Sequence, residues 1–552
     1  MELLLFLIIL LTGNLVFGAK SKADQPEIGV VSLSPSSGMF YALYSARKSP
    51  ENAPLIMWLQ GGPGGSSYGV GNFLEVGPLD ENLRERRDTW VNDVNVLFVD
   101  FPVGSGFSWT TKSSELAKNN DQIGAQGLRF LAHFFDTHPR LAVNPFWIFS
   151  ESYGGKCSVA IAASLHQAID SGVIKCNFRG IALGDPWIAP EQCQRSYADV
   201  LQAAALVTDS QAARLIAITD ETLVSLSTAR PTQAEDLFGL TQHYISNFTS
   251  SGPPRLHSTP KMSLPPLCTG TVNMYNLRLH VKAPNLSQLE DLMLSATIRA
   301  PLEAVLPASV TWGAQSDRVY NTLRPDFMVR PPSQIRCFGR FGLHLTCHGT
   351  GILSWPQTDC SSDVKRLLET TDLQVWIYVS WDLIVNSLCT ERWVSSMGWS
   401  DYSRFAASAK VMHSDPASGQ PEMFSKWANN LGIVWVLDAG HLVPRDQPAA
   451  ARRMLRMIVG LDAPPQNLWK VTVPNYPATL ADRRRLSPLS PAALNTTTGP
   501  IPSAPTVLTS LMAPLGPIDS LTFPTGRPEH VTRASLLGPP GGWEAREYRL
   551  DH

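Results

Sequence analysis

The chain carries almost no net charge: 45 lysines and arginines against 47 aspartates and glutamates leave a formal −2. That excludes a global basic field of the kind that holds nucleic acid. The one short basic run, Arg483-Arg484-Arg485, reads as a solvated patch in a tail. Long hydrophobic runs are also scarce. The N-terminal block MELLLFLIILL breaks at Thr12-Gly13-Asn14, too short to span a bilayer, and no later segment is long and apolar enough. Small residues follow it at Gly18 and Ala19, so residues 1–18 read as a cleaved signal peptide, with Glu2 where a positive charge is usual. Among the 8 cysteines there is no CxxC or close Cys/His spacing of a zinc site. No metal and no cofactor is expected, and no internal repeat at solenoid periods is present.

Export to an oxidising compartment would allow those cysteines to pair, in a connectivity the sequence leaves open. Sequons begin at Asn247, Asn285 and Asn495, glycan sites if exposed and exported. The chain of 552 residues, 44% hydrophobic, is too long for one ordinary domain, although an α/β core with insertions could use most of it. Short apolar runs recur at PLIMWLQ (54–60), VNVLFVD (94–100), FWIFS (146–150) and FRGIALG (178–184). Helical patterns lie between them, at 124–135 and 156–169. Near-continuous apolar strands alternating with helices predict a mostly parallel sheet covered on both faces. Residues 19–189 form the first part of this core. From 190 to 309 Ser-, Thr- and Ala-rich helical stretches replace the strands, which predicts an inserted helical cap. Strand-like runs return at QVWIYVS (374–380) and IVWVL (433–437), followed by a helix at 447–459, within a second core segment over 310–460. Residues 461–552 are rich in Pro, Ser, Thr and Gly without apolar period, and read as a largely disordered tail.

Ser150-Glu151-Ser152-Tyr153-Gly154-Gly155 follows an apolar strand and opens a helix. This is the setting of a nucleophile elbow, here with Ser150 in place of the first glycine of G-x-S-x-G. A serine nucleophile needs a base and an acid to orient that base. His441, just past IVWVL, and Asp382, just past QVWIYV, stand in the chain order Ser, Asp, His that an α/β-hydrolase uses. The glycine cluster at 61–65 lacks the lysine and spacing of a phosphate-binding loop.

Several stretches together resemble the serine carboxypeptidases: Gln60-Gly61-Gly62-Pro63-Gly64-Gly65-Ser66-Ser67, Val99-Asp100-Phe101-Pro102-Val103-Gly104-Ser105-Gly106-Phe107-Ser108, the elbow at 150–155, and Ala439-Gly440-His441-Leu442-Val443-Pro444. The resemblance runs from about residue 26 to 460 and thins in the cap. It implies an α/β-hydrolase fold with a helical cap, and removal of residues from peptide C-termini through an acyl-enzyme. It further implies Ser152 as nucleophile, His441 as base, Asp382 as orienting acid, and the N–H groups of Gly62 and Tyr153 as oxyanion hole. Gln60, Glu75 and Glu151 match positions that bind the substrate's terminal carboxylate, and Trp58 an aromatic beside it. Clustered carboxyl groups cannot all ionise cheaply, so a shared proton would let one donate to that carboxylate, favouring acidic pH and a secreted or lysosomal setting.

The sequence also departs from the pattern. The turn Tyr378-Val379-Ser380-Trp381-Asp382 is shortened and lacks the family's glycine, Asn386 stands where an aspartate is expected, and 330–361 looks inserted. A shifted Asp382 would favour a catalytically impaired binding protein on the same fold. The elbow by itself would also suit an esterase or acyltransferase, chemistry that needs no carboxylate clamp.

Overall fold

The computed structural model describes residues 24–227, 231–246, 273–277, 286–328 and 359–462. The leader, the tail, the sequon asparagines Asn247, Asn285 and Asn495, and most of the segment at 330–361 lie outside the described residues.

The strands are β1 (Glu27–Ser34), β2 (Ser37–Tyr44), β3 (Leu55–Leu59), β4 (Asn95–Val99), β5 (Trp109–Thr110), β6 (Pro145–Glu151), β7 (Asn177–Gly184), β8 (Gln374–Val379), β9 (Val411–Ser414), β10 (Pro421–Ala428) and β11 (Leu431–Val436). They join one sheet in the order β1-β2-β4-β3-β6-β7-β8-β11-β10-β9, with β5 beside β2. From β4 to β11 all pairings are parallel, and the outer pairings at both ends are antiparallel. The expected mostly parallel sheet is therefore present. The antiparallel margins were not among the expected strands.

Strand periodicity builds a core on each face. Leu55, Met57 and Leu59 of β3, Leu97 and Val99 of β4, and Phe146 and Ile148 of β6 enter one cluster. Their alternates Ile56 and Trp58, Val96 and Phe98, and Trp147 and Phe149 enter the other. Such strands need cover on both sides. The first face receives α1 (Asn120–Thr137), started by Asn119, whose side chain accepts from the Gln122 N–H, and α2 (Gly154–Asp170), through Cys157, Ile161 and Leu165. The described part of 190–309 is helical: α3 (Pro190–Ala203), α4 (Asp209–Ser227), α5 (Pro231–Ser246), α6 (Leu286–Leu294) and α7 (Ala296–Leu302). Of these, α6 and α7 place Leu289, Met293, Ile298 and Leu302 in the second cluster. After them come α8 (Asp317–Met328), α9 (Ser361–Thr370), α10 (Ser387–Ser396), α11 (Tyr402–Ala407), α12 (Val443–Asp446) and α13 (Pro448–Ile458). The buried stripe of α13, Ala450, Ala451, Met454, Leu455 and Ile458, closes the second face.

A disulfide between Cys193 and Cys389 ties α3 to α10 across 196 residues of sequence. A crosslink over so long a loop restricts the unfolded chain strongly. Cys389→Ser is expected to lower the unfolding free energy by about 2–5 kcal/mol under oxidising conditions, measured by urea denaturation.

Parallel pairing places the carboxyl ends of β3, β4, β6, β7, β8 and β11 along one edge of the sheet. The residues that follow those ends are Gln60, Asp100, Ser152, Asp185, Asp382 and His441. This edge is where open α/β sheets place their chemistry.

Candidate active site

Ser152 sits between the end of β6 and the start of α2 with a left-handed backbone, φ +59°. A non-glycine residue holds that conformation only when its surroundings fix it. Here its N–H donates to Gly184 O at 2.9 Å, and its carbonyl accepts from Gly155 N at 2.9 Å and Trp187 N at 3.0 Å. A Cβ at Gly154 would lie 2.5 Å from Leu59 O, and one at Gly155 2.7 Å from Pro186 Cβ. Only glycines allow α2 to sit this close to the sheet and aim the turn outward.

The glycine-rich loop after β3 lies against this elbow. A Cβ on Gly61 would meet Ser152 Cβ at 2.6 Å and Tyr153 N at 3.1 Å. Gly62 has φ +117°, which suits glycine, and the Gln315 amide packs over it while donating to Pro63 O. Asp100, at the end of β4, locks the loop from below. One oxygen accepts from Ser66 Oγ at 2.8 Å and Tyr68 N at 3.0 Å, the other from Phe107 N at 2.8 Å. Burial pushes its pKa up to about 6. The glycine-rich loop and the 99–108 loop are thus one hydrogen-bonded unit.

His441 and Asp382 meet. Their Nδ1 and Oδ2 atoms are 2.7 Å apart, and both side chains are buried. Asp382 also accepts from Ile384 N at 3.1 Å and Val385 N at 2.9 Å, leaving His441 Nδ1–H as the side-chain donor. The shortened turn does not displace the acid. Asn386 caps α10 instead, accepting from Cys389 N at 2.9 Å. His441 is held by its own N–H donating to Tyr275 O at 2.7 Å, with the Tyr275 ring edge-on to the imidazole. His441 Nε2 lies 4.0 Å from Glu151 Oε1, so the free edge of the imidazole faces the elbow.

Glu75 enters on a wide helical turn, Ser67–Val76 of π type, whose end is held by Arg86 donating to the carbonyls of Asn72, Phe73, Gly77 and Leu79. Trp58 Nε1 donates to Gln60 Oε1 at 3.0 Å, and Gln60 Nε2 to Glu151 Oε1 at 2.9 Å. Glu75 and Glu151 are both buried, and among the described residues no N–H or hydroxyl donor serves either Glu75 oxygen or Glu151 Oε2, which leaves only a carboxyl proton to join the pair. Burial pushes Glu75 up to about 7, partly offset by its hydrogen bond to Glu151 and by the nearby His441 and Arg445 side chains. Burial and the neighbouring Glu75 push Glu151 up as well. A hydrogen bond between two carboxyl groups needs a proton, and the pair shares it.

These raised carboxyl groups make a stability prediction. Glu75, Glu151, Asp100 and Asp185 all bind protons more tightly folded than unfolded. Their contribution is full below the unfolded values near 4 and is lost as pH rises through the folded ones. For Glu75 alone the shift corresponds to a contribution on the order of 3 kcal/mol. The melting temperature is expected to be higher at pH 5 than at pH 7.5, by scanning calorimetry.

Each residue expected to act in catalysis or substrate binding thus lies along one edge: Ser152 and Tyr153 at the elbow, Gly62 beside it, Asp382 with His441, and Gln60, Glu75, Glu151 and Trp58 in one buried cluster. Sequence reading assigned no role to Asp100, Asp185, Ser380 or Tyr275. Asp100 lay inside a quoted motif, and Asp185 directly after a predicted strand, a position that marks the reactive edge of a parallel sheet.

The sheet, the elbow and the Asp–His pair at the strand ends define an α/β-hydrolase. The serine carboxypeptidase family profile matches residues 21–460, and the chain belongs to that family, a class of hydrolytic enzymes. The retinoid-inducible serine carboxypeptidase of Rattus norvegicus is 34% identical over 443 residues, covering 78% of this chain and 90% of the relative. Its Homo sapiens counterpart is 34% identical over 472 residues, covering 83% and 96%. A prohormone-processing carboxypeptidase from Saccharomyces cerevisiae, Kex1(Δ)p, shares the fold with a TM-score of 0.63 at 19% identity, over 80% of this chain and 93% of that one. Among the described residues no helix is long and apolar enough to cross a membrane.

Proposed function

We propose that this enzyme releases C-terminal residues from peptides by acyl transfer through Ser152, working best at acidic pH in a secreted or lysosomal setting. The reading rests above all on the buried Gln60–Glu151–Glu75 cluster lying 4.0 Å from His441 Nε2. It sets a carboxyl-binding group beside the base, one residue from the nucleophile. His441 takes the Ser152 proton as Oγ attacks the last peptide carbonyl. Asp382 holds the Nδ1–H tautomer and stabilises the imidazolium. The oxyanion is held by the Gly62 and Tyr153 N–H groups. His441 then protonates the leaving amine, which departs as the free C-terminal residue. Water, deprotonated by His441, hydrolyses the ester and restores Ser152. The protonated Glu151–Glu75 pair donates to the substrate's terminal carboxylate, with Gln60 and Trp58 completing that subsite.

The clamp separates this reading from esterase or acyltransferase chemistry. Blocked dipeptides with a free C-terminus should be cleaved and their C-terminal amides scarcely at all. Equal turnover of acids, amides and simple esters would contradict the clamp. The 2.7 Å Asp382–His441 contact speaks against an impaired relative.

A further inference from the structure

Asp185 follows β7 and is fully buried, with φ +34°. Its N–H donates to Tyr378 O at 2.8 Å, which fixes it against the end of β8. Its two oxygens are both engaged by one residue: Oδ1 accepts from Ser380 N at 3.1 Å, and Oδ2 from Ser380 Oγ at 2.7 Å. Ser380 stands in the turn that leads from β8 to Asp382, a turn that carries a glycine in the family pattern and none here. The same turn is closed by Trp381 N donating to Ala439 O at 2.9 Å and Ser387 Oγ donating to Ser380 O at 3.0 Å. One oxygen of Asp185, one of Asp382 and a ring nitrogen of His441 lie within 4.8 Å of one another. The Asp185 oxygens are turned to Ser380, and those of Asp382 to His441 and two backbone amides, so these groups hold a turn rather than converge on an ion.

We propose that Asp185 is a positioning residue of the triad: by gripping both polar groups of Ser380 it sets the glycine-free turn that aims Asp382 at His441. This rests on the reading of Ser152, His441 and Asp382 as the reacting groups. A turn without glycine has less backbone freedom, and two converging hydrogen bonds from a neighbouring strand replace that freedom with a fixed geometry. The grip needs acceptors rather than a charge. Burial and the adjacent Asp382 push the Asp185 carboxyl well above the usual carboxylate range, while its two hydrogen bonds from Ser380 pull the other way. The other ionisable groups that face it are Glu151 at the end of β6, Tyr378 on β8 and His441 in the loop after β11.

The test measures kcat and KM on a blocked dipeptide, and the rate at which a fluorophosphonate labels Ser152, for the full-length wild type and four variants. Asp185→Ala should lose about 100-fold in kcat, with KM unchanged and labelling slowed in parallel, the scale expected when a triad member is misplaced. Asp185→Asn keeps a neutral acceptor and should stay within about fivefold of wild type, the worth of one ordinary hydrogen bond. Ser380→Ala, which leaves Asp185 intact, should show a smaller loss, likewise confined to kcat. In the Ser380→Ala background, Asp185→Ala should cost less than it does alone. If Asp185→Ala fails to fold, the Asn and Ser380 variants decide. Ser380→Ala indistinguishable from wild type, Asp185→Asn as damaged as an Asp382 variant, or losses falling on KM would each overturn the proposal. Normal labelling across all variants would overturn it while leaving the proposed function standing, whereas an unlabelled wild type would sink both.

Discussion

Asp382→Asn is expected to lower kcat by about four orders of magnitude while KM changes only a few-fold. The carboxylate accepts His441 Nδ1–H at 2.7 Å and two backbone N–H groups on its own loop, so the donors around it are already fixed. An asparagine amide forced into that nest presents N–H where the carboxylate presented an acceptor. To avoid a clash of donors, His441 takes the tautomer with its proton on Nε2, the atom that must receive the Ser152 proton. The fold itself loses little, because Asn can still accept one backbone bond. A circular dichroism melt within a few degrees of wild type, beside a kcat reduced by this amount, is the expected pair of results. Full activity in Asp382→Asn would place the orienting acid elsewhere.

Substitutions at the carboxyl pair should act on binding instead. Glu151→Ala removes a charge-assisted hydrogen bond to the substrate carboxylate, and leaves Gln60 Nε2 and Glu75 without their partner. KM for peptide acids is expected to rise by about 10- to 100-fold, the worth of such a bond. The pH dependence carries the sharper signature. The competent state is the protonated pair, whose proton is held tighter than an ordinary carboxylic acid's, with Glu75 near 7. Raising the pH removes the donor and sets an anion against the substrate's own carboxylate. kcat/KM should therefore be high on the acid side and fall by up to about tenfold per unit above pH 7. Glu151→Gln supplies a donor that does not titrate, at some cost in geometry, and its fall above pH 7 should be shallower. Parallel profiles for wild type and Glu151→Gln would mean the pair does not bind the substrate's carboxylate.

Much of the sheet's centre was legible because its buried strands carry near-continuous apolar runs with turn chemistry after them. LIMWL, NVLFV and QVWIYV carry that signal, and their flanks deliver Gln60, Asp100 and Asp382. The margins were not, for the converse reason. β9 reads VMHS and β10 reads PEMFSKWA, mixed sequences that become strands only through pairing with β11 and with each other. The β1–β2 hairpin, EIGVVSLS and SGMFYALY, likewise sits next to Pro35 and serines that read as loop. Within the site, the elbow, Asp382 and His441 could be placed from order and flanking strands alone. What the sequence does not display is which polar group faces which. Asp185 reaches Ser380 across 195 residues of chain, and the shortened turn looked like a defect until its partner was visible. Cys193 and Cys389 are likewise joined by the packing of α3 against α10, not by any local spacing.

The central claim is that Ser152, acting with His441 and the Glu75–Glu151 pair, releases C-terminal residues. The most direct test follows release of the terminal amino acid from a panel of blocked dipeptides between pH 4 and 8, using purified wild-type protein and Ser152→Ala. The account predicts release that is strongest on the acid side and absent in Ser152→Ala, whose melting temperature should match wild type. No release from folded wild-type protein at any pH, or equal release by the Ser152→Ala variant, would contradict it.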